Sequence, residues 1–513
     1  MADYSRGLYR QLSEQTEKAE RLEDKNRQLR NENRRLRKKV ESLEERLETM
    51  AAELDARIET AVNKAVMPLH KEIARKDEQI QKANDEIARL KANKDKDSGN
   101  SSKPPSSNGF KKISNSREPS GRKTGGQPGH KGHTLSIPKD LDELVKAGKA
   151  KHVVKDETGG AKRYVSDWEI DLIIVPVYTE HRRAVGAPST VRYGTGIQSL
   201  AVYLQNVGLL SLERLAEFFR VVTQGLVTPS EAALVRFSQR AASHINLEPL
   251  VADLLNGSVM HTDDTPVRTT ERIGLGQDAP EKAKRTTLNA YIRTYSNATT
   301  TLLTANAHKD DESVKHDNIL ARFFGIVSHD HESKFYNYGT RHAACGEHLC
   351  RELKGMNNLC MLSWAGRVRA FFLEMNRHKS KDQAEKKMAC APPILAQYEA
   401  HYDELVEEGA ALLSQMRKKT LGYDELRRMV KRLKSYKNAY ILFMRDYKAP
   451  FTNNLAERDL RHCKTKQKVS GCYRSWQGLL DYCKIRSLTD TTRKRGGDVM
   501  AALRSCFFLQ APC

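Results

Sequence analysis

The feature that most restricts the fold of this chain is a heptad repeat close to its start. One seam position of the repeat carries leucine four times in succession, at Leu22, Leu29, Leu36 and Leu43. The other seam position follows four residues later each time, at Asn26, Asn33, Val40 and Leu47. Because such a seam is buried only when helices pack against each other, residues 8 to about 67 are predicted to form a coiled coil, and the paired asparagines favour a parallel two-stranded one.

The whole of residues 1–90 is expected to serve as this dimerisation segment. Pro68 is expected to interrupt the helix, and a second short stretch with Ile73, Ile80 and Ile87 follows it. The alternative is a single solvated helix that carries charge pairs along its faces.

The chain of 513 residues is long enough for two or three domains, and it carries a formal net charge of +22. So large a basic excess predicts a polyanionic partner, with nucleic acid favoured over a membrane surface. There is no apolar run of transmembrane length and no signal-peptide pattern at Met1, so a soluble cytoplasmic protein is expected. The 9 cysteines all lie from Cys345 onward, without the spacing of a disulfide framework, which predicts reduced thiols.

Residues 91–138 are rich in Ser, Pro, Gly and Asn and are predicted to be a disordered tether. Between Lys103 and Lys131 the segment has seven basic residues against one acid, Glu118. Two interpretations stay open, an extended arm that follows DNA phosphates and a merely soluble linker. On the first, the candidate DNA contacts are Lys111, Lys112, Arg122, Lys123 and Lys131.

Short alternating apolar runs, such as the one from Ile170 to Tyr178, predict a small β-rich module over residues 139–190. Residues 191–250 show helical periodicity, with Thr228 as the expected N-cap of a second helix and Pro229 at its first position. Two helices joined near Gly225 could form a helix-turn-helix for DNA binding, but helices of a hydrophobic core ahead of the catalytic region are the favoured interpretation.

The stretch from His261 to Val267 places two adjacent carboxylates, Asp263 and Asp264, at the end of a short apolar run. Two β-branched runs follow, then a helix-like segment over residues 311–324, then a strand that ends at Asp330. That order of elements predicts an α/β core of the RNase H-like fold over residues 251–340, with a mixed sheet and flanking helices. Residues 341–447 contain no convincing strand and predict a large all-α insertion.

The core is expected to resume over residues 448–495, where Asn453 and Asn454 open a helix that carries Glu457, and residues 496–513 are expected to be a C-terminal tail. Three carboxylates that converge on one point stay ionised only beside cations, and two divalent metals provide these in phosphoryl transfer. Asp263, Asp330 and Glu457 are therefore the candidate catalytic and metal-binding acids. Oxygen-only ligation selects Mg²⁺ or Mn²⁺.

Several blocks of the chain resemble the signature motifs of the IS66 family of bacterial insertion-sequence transposases. These blocks are His261 to Val267, Cys345-x-x-His348-x-x-Arg351, Thr452-Asn453-Asn454-x-x-Glu457-Arg458, and residues 100–107 and 125–133 of the tether. The resemblance implies a DDE transposase with an RNase H-like core, a helical insertion, a leucine zipper and DNA-binding modules ahead of the core. By motif match, the catalytic acids of the family fall on Asp263, Asp330 and Glu457.

The chain departs from the family pattern in three places. The family's Cys-based zinc module is expected after the tether, but residues 139–190 contain no cysteine, so no zinc is predicted. Asp264 stands where the family commonly has Glu. Asp330-His331-Glu332 stands where it favours Asp-Gly-Tyr. These departures keep open the alternative of a diverged, catalytically inactive copy that acts as a DNA-binding dimer.

A basic run follows Glu457, and DNA-backbone contact is its favoured interpretation. The candidate contacts are Arg458, Arg461, Lys464, Lys466, Lys468 and Arg474. Arg351 could equally approach a phosphate or form a salt bridge. His342, Cys345, His348 and Cys350 are expected to pack on one helix rather than to bind zinc.

The predicted function is metal-dependent cleavage and strand transfer of an insertion sequence. The expected partners are double-stranded DNA at the element ends and the target, a second copy of the chain or more, and accessory transposition proteins, with no membrane. A structural coiled-coil protein with a basic surface is a further alternative.

Overall fold

The computed structural model describes residues 2–97, 100, 136–157, 159, 162–163, 165–166, 168–182, 191–270 and 289–508. The chain divides into two compact units, Met1–Leu90 and Lys91–Cys513. Among the described residues, no helix combines the length and the apolar composition needed to cross a membrane.

The first unit is formed by one helix, α1 (Ala2–Lys94), which continues through Pro68. The predicted interruption at Pro68 is therefore wrong. A proline removes one N–H donor, and on an exposed helix water can satisfy the carbonyl that loses its partner. The leucines of the heptad seam are exposed along α1, among them Leu22, Leu29 and Leu36. Such a stripe of apolar side chains is what a coiled coil would cover.

The second unit contains a five-stranded mixed sheet in the order β3-β2-β1-β4-β5. Its strands are β1 (Val259–Arg268), β2 (Asn289–Ser296), β3 (Thr301–Asn306), β4 (Ile326–His329) and β5 (Arg341–Ala344). β1 pairs antiparallel with β2 and parallel with β4, and β5 lies parallel to β4. The predicted α/β core with a mixed sheet is confirmed.

The second unit also contains fourteen α-helices among the described residues. They are α2 (Leu141–Lys146), α3 (Thr195–Asn206), α4 (Leu212–Val222), α5 (Glu231–Ser243), α6 (Glu248–Leu255), α7 (Asp311–Asp317), α8 (Gly346–Leu359), α9 (Ser363–Ala384), α10 (Pro392–Gln415), α11 (Tyr423–Ser435), α12 (Lys437–Arg445), α13 (Asn454–Ser470), α14 (Trp476–Lys494) and α15 (Val499–Phe508).

Each face of the sheet packs against its own group of helices, because successive side chains of a strand point to opposite faces. On one face, Met260 and Val327 form a cluster with Leu254 of α6 and Val314 of α7. On the other face, apolar side chains of β1 to β3 pack against α13 and α14. The strand residues are Val267, Ala290, Ile292 and Leu303, and the helix residues are Leu460, Leu479 and Tyr482. The position of a residue in β1 therefore decides which group of helices its side chain meets.

Helices α8 to α12 follow β5 and share a hydrophobic core with the edge of the sheet at Ile326, Ala343 and Ala344. Trp364 lies at its centre, fully buried, and its indole N–H donates to the carbonyl of Leu405 at 2.7 Å. The prediction that residues 341–447 lack a strand is wrong at Arg341–Ala344, which form β5. Four residues are too few for a periodicity, and β4 supplies the hydrogen-bond partners that make them a strand.

Four further expectations about local structure need correction. The helix predicted over 311–324 ends early, since Asn318 adopts a left-handed φ of 50° after α7. α5 is capped by Ser230 rather than Thr228, and the Ser230 hydroxyl accepts a hydrogen bond from the N–H of Ala233. The predicted β-rich module of residues 139–190 is wrong for the described residues there, which contain α2 and no strand.

The predicted C-terminal tail is also wrong, because residues 499–508 form α15. Its Leu503 and Phe507 are buried with Val202 of α3, Leu215 of α4 and Ile485 of α14. The helices of residues 191–250 thus share a core with the end of the chain, as expected of core helices.

Candidate functional site

The two adjacent acids of β1 point to opposite faces of the sheet and have different surroundings. Asp264 is buried on the α7 face, where its carboxylate accepts a hydrogen bond from Nε of Arg293 at 2.8 Å and pairs with Lys334. Arg293 also reaches Asp317 at 2.7 Å. Both carboxylate oxygens of Asp264 thus contact cations on this face of the sheet. Asp263 is four residues from Val267 on the same strand, so its side chain points to the same face of the sheet, toward α13.

Asp330 lies beside Asp263 because their two strands are parallel neighbours. His261 of β1 pairs with Ser328 of β4; Asp263 is two residues further along β1, and Asp330 is two residues further along the chain, directly after the end of β4. The sequence placed Asp263 at the tip of a short strand, but β1 continues through it to Arg268. That prediction is corrected by the ladder with β2, in which Asp263 is opposite Thr294.

Burial and neighbouring acids make the ionisation of both carboxylates unfavourable. Burial and the negative charge of Asp330 hold the pKa of Asp263 well above its usual value. Burial and the charge of Glu332 raise the pKa of Asp330 to about 7. The Oδ1 atom of Asp330 is buried and accepts no hydrogen bond. A buried carboxylate oxygen without a donor, next to a second carboxylate, is suited to a cation.

Lys309, a residue that was not predicted from the sequence, lies close to Asp263 and Asp330. Lys309 forms an ion pair with Glu332, and its charge lowers the pKa of both Asp263 and Asp330 against the effects that raise them. Lys309 follows β3 in the loop before α7, where nothing in the local sequence distinguishes it from a solvated lysine. Only the sheet order brings it to the end of β4.

Glu457 lies one turn into α13, and the start of that helix is tied to β1. The side-chain amide of Asn453 donates to the carbonyl of Thr262 at 2.9 Å, and its Oδ1 lies 3.0 Å from Nδ1 of His261. The backbone N–H of Asn453 donates to the Sγ atom of Cys345 at 3.2 Å. Further along α13, Lys464 donates to the carbonyl of Pro266, so the helix follows β1 past the acids.

The carboxylate of Glu457 has neighbours on α8. Its Oε1 lies 3.5 Å from Nδ1 of His348 and 3.6 Å from Nη2 of Arg351. Burial raises the pKa of Glu457, and the positive charge of Arg351 opposes this effect. Burial and the charge of Arg351 lower the pKa of His348 to about 3, so its ring is neutral near pH 7.

Within the described residues, two groups of three ligand atoms lie within 4.8 Å of one another. One is Cys345, His348 and Glu457, and the other is His378, Asp382 and Cys390. Neither group includes Asp263 or Asp330. The structure thus pairs Asp263 with Asp330, and it places Glu457 on the adjoining helix with His348 and Arg351.

The residue after Asp330 has an unusual backbone conformation. His331 has a φ of 74°, which lies in the left-handed region that favours glycine. Its ring accepts or donates a hydrogen bond with the hydroxyl of Tyr440 at 3.1 Å, and its Nε2 lies 3.2 Å from the carbonyl of Cys345. A glycine at this position, as in the Asp-Gly-Tyr pattern, would adopt the same turn without a Cβ.

The predicted DNA contacts have different surroundings. Arg458, Arg461, Lys468 and Arg474 are exposed. Lys466 donates to the carbonyl of Gln205 at 3.1 Å, and burial lowers its pKa to about 8. Arg351 is ion-paired with Glu457 and Glu347. The tether residues lie outside the described part of the chain; they are Lys111, Lys112, Arg122, Lys123 and Lys131.

These features define an α/β protein with an acidic centre at β1, which lies between the parallel strand β4 and helix α13. Residues 190–480, more than half of the chain, match the family model described as Transposase IS66 family. The chain belongs to this family, which confirms the resemblance found in its motifs. Family membership implies action on DNA. No curated protein matches the chain.

Proposed function

We propose that the protein is a DDE transposase that cleaves DNA at the ends of an insertion sequence and joins those ends to target DNA. The observation that carries this proposal is the proximity of Asp263 on β1 to Asp330, which directly follows the parallel strand β4, next to the helix that bears Glu457. Clustered carboxylates are the ligands that phosphoryl-transfer metals require.

The strand order supports an RNase H-like core. In the order β3-β2-β1-β4-β5, β2 is antiparallel to β1 whereas β4 and β5 are parallel to it. Along the chain, three strands, a helix and a fourth strand follow one another as expected from the sequence, and α8 to α12 precede the helix that carries the third acid.

Asp263, Asp330 and Glu457 would hold the metal ions. The buried Oδ1 of Asp330 accepts no hydrogen bond, which fits a carboxylate kept for a cation, whereas Oε1 of Glu457 already faces the guanidinium of Arg351 at 3.6 Å. All-oxygen ligation suits Mg²⁺ or Mn²⁺. When bound, such ions neutralise the carboxylates and stabilise the charge that develops on the phosphate oxygens.

The other residues of the site would bind and position the substrate. Lys309 offers an ammonium group beside Asp330 for a phosphate of the DNA backbone, and exposed Arg458 and Arg461 extend this basic surface along α13. Asn453 would position Glu457 indirectly, because its hydrogen bond to Thr262 fixes the start of α13 against β1. Attack by water on an end phosphodiester frees a 3′ hydroxyl, which then attacks the target strand; no covalent protein intermediate is needed.

The test is metal-dependent cleavage and joining of a labelled end fragment from the DNA that flanks the gene. Asp263→Asn and Glu457→Gln should abolish both steps while leaving DNA binding intact. Matched surface variants, Asp424→Asn and Glu404→Gln, should be active, because both acids are on exposed helix faces. Strand transfer by either site variant would remove that residue from the site. Binding without cleavage by the wild type in Mg²⁺ or Mn²⁺ would favour the inactive DNA-binding dimer.

We further propose that α1 pairs in parallel with α1 of a second copy, since two element ends require at least two subunits. The exposed leucine seam supports this, and each leucine covered on pairing would contribute about 1.5–3 kcal/mol. Leu29→Arg with Leu36→Arg should convert the dimer to a monomer in sedimentation velocity. The same charge added at an outer position of the heptad, Glu45→Arg, should leave the dimer intact. A monomeric wild type would contradict the proposal.

A further inference from the structure

A second group of ligand atoms lies in the helical insertion, away from the acidic centre. His378 and Asp382 are one turn apart on α9, and Cys390 is in the segment that leads to α10. Nε2 of His378 lies 3.3 Å from Oδ2 of Asp382 and 3.9 Å from Sγ of Cys390. All three ligand atoms fall within 4.8 Å of one another. One nitrogen, one oxygen and one sulfur thus face a common point.

Neighbouring side chains hold the histidine and the aspartate in this orientation. Nδ1 of His378 lies 3.4 Å from the hydroxyl of Tyr398, so a proton on Nδ1 leaves the lone pair of Nε2 facing Asp382 and Cys390. The hydroxyl of Tyr447 donates to Oδ2 of Asp382 at 2.6 Å. Metal-bound histidines and carboxylates are commonly fixed by such outer hydrogen bonds.

The position of the thiol is set by the backbone. The N–H of Cys390 donates to the carbonyl of Met444 at 2.9 Å, and the N–H of Tyr447 donates to the carbonyl of Met388 at 2.8 Å. These two hydrogen bonds attach the segment before α10 to the end of α12. Cys390 is buried, so its sulfur is directed inward at His378 rather than at solvent.

The separations agree with those of a tetrahedral zinc site. Zinc binds His nitrogen and carboxylate oxygen at about 2.0–2.2 Å and Cys sulfur at about 2.3 Å. Tetrahedral angles then place nitrogen and oxygen roughly 3.3 Å apart, and nitrogen and sulfur roughly 3.5 Å apart. The first value equals the observed 3.3 Å, and the second differs from the observed 3.9 Å by a few tenths of an ångström.

We propose that His378, Asp382 and Cys390 form a zinc site that joins α9 to the segment before α10. The mixed nitrogen, oxygen and sulfur donors select Zn²⁺ over Mg²⁺. As the bond from zinc to Sγ forms, the S–H bond breaks and its proton passes to solvent, without any change in oxidation state. One thiolate and one carboxylate then balance the charge of the ion. This site is separate from the proposed catalytic acids and does not depend on their function.

One competing cation is present. Nζ of Lys387 lies 3.0 Å from Oδ1 of Asp382, and its side chain is half exposed. It pairs with the oxygen that does not face His378, so only the Tyr447 hydroxyl occupies a lone pair of Oδ2, and the other lone pair is available to an ion. The proposal therefore requires no rearrangement of Lys387.

The test uses the full-length protein, stripped with a chelator and titrated with Co²⁺ as a spectroscopic probe for zinc. A near-ultraviolet thiolate-to-cobalt absorption should saturate at one equivalent and disappear when Zn²⁺ is added. Cys390→Ser and His378→Gln should lose the band. Cys345→Ser should keep it, and so should Cys472→Ser, which removes a partly exposed thiol.

Melting temperatures show whether each variant is folded, and they give a second measure of zinc binding. Zn²⁺ should raise the melting temperature of the stripped wild type and should have no effect on Asp382→Asn. The proposal is overturned if the wild type shows no thiolate band. It is equally overturned if the band survives in Cys390→Ser, or if Cys345→Ser rather than Cys390→Ser removes it, since the ion would then belong to Cys345, His348 and Glu457.

Discussion

Replacement of Arg293 by methionine should be among the most destabilising single changes in the sheet. The guanidinium is fully buried between Asp264 of β1 and Asp317 at the end of α7. It donates to Asp264 at 2.8 Å, to Asp317 at 2.7 Å and to the hydroxyl of Ser313 at 2.8 Å. Methionine fills a similar volume but leaves two buried carboxylates without their shared cation.

The expected cost follows from the partners that stay behind. Breaking a buried ion pair from one side typically costs about 3–5 kcal/mol. Asp264 would keep Lys334, and Asp317 would keep the hydroxyl of Tyr295 at 2.7 Å. Since neither carboxylate loses every partner, the decrease in the free energy of unfolding should lie near the lower end of this range, about 3 kcal/mol.

Urea unfolding followed by circular dichroism measures this loss. The control is Arg367→Met, which breaks an ion pair with Glu408 in which both side chains are about half exposed. That change should cost no more than about 1 kcal/mol. Adding Asp317→Asn to Arg293→Met should recover part of the loss, because it removes a buried charge. Equal effects of the two arginine changes, or no recovery in the double variant, would refute the reasoning.

Three other measurements test the acidic centre and its surroundings. Because the pKa of Asp330 is raised to about 7, its ionised form costs stability above that pH, and this cost fades as the pH falls toward the ordinary carboxyl value. Metal-free Asp330→Asn should therefore melt above the wild type at pH 8, and this advantage should shrink steadily below pH 7 and vanish near pH 4; a constant difference would contradict the assignment. His331→Gly should change the free energy of unfolding by less than about 1 kcal/mol, whereas His331→Val should cost about 1–3 kcal/mol more, because a β-branched residue resists positive φ. Changing Arg458 and Arg461 together to Gln should lower the slope of log K for DNA against log salt by about 2, while Lys466→Gln should leave it unchanged.

Features that depend on local periodicity or on a single strong motif could be predicted from the sequence. The heptad leucines predicted a long N-terminal helix, and the apolar runs after His261 predicted β2, β3 and β4 in the correct order. The motif blocks predicted the family.

Features set by distant partners could not be predicted. β1 extends through Asp264 because Arg293, on another strand, neutralises that carboxylate inside the sheet. Arg341–Ala344 is a strand only because β4 lies beside it. Lys309 reaches Asp330 only through the order of the strands, and Lys466 is withdrawn from the surface by a carbonyl of α3 far away in the chain. In each case, the residue that makes the decisive contact lies far away in the sequence.

The attachment of Asn453 bears on how this family of proteins can vary. Its side chain fixes the start of α13 to the central strand rather than to the helices that precede it in the chain. We therefore expect that a change of length within α9 to α12 would leave the third acid in place, because the helix that carries it is anchored to β1.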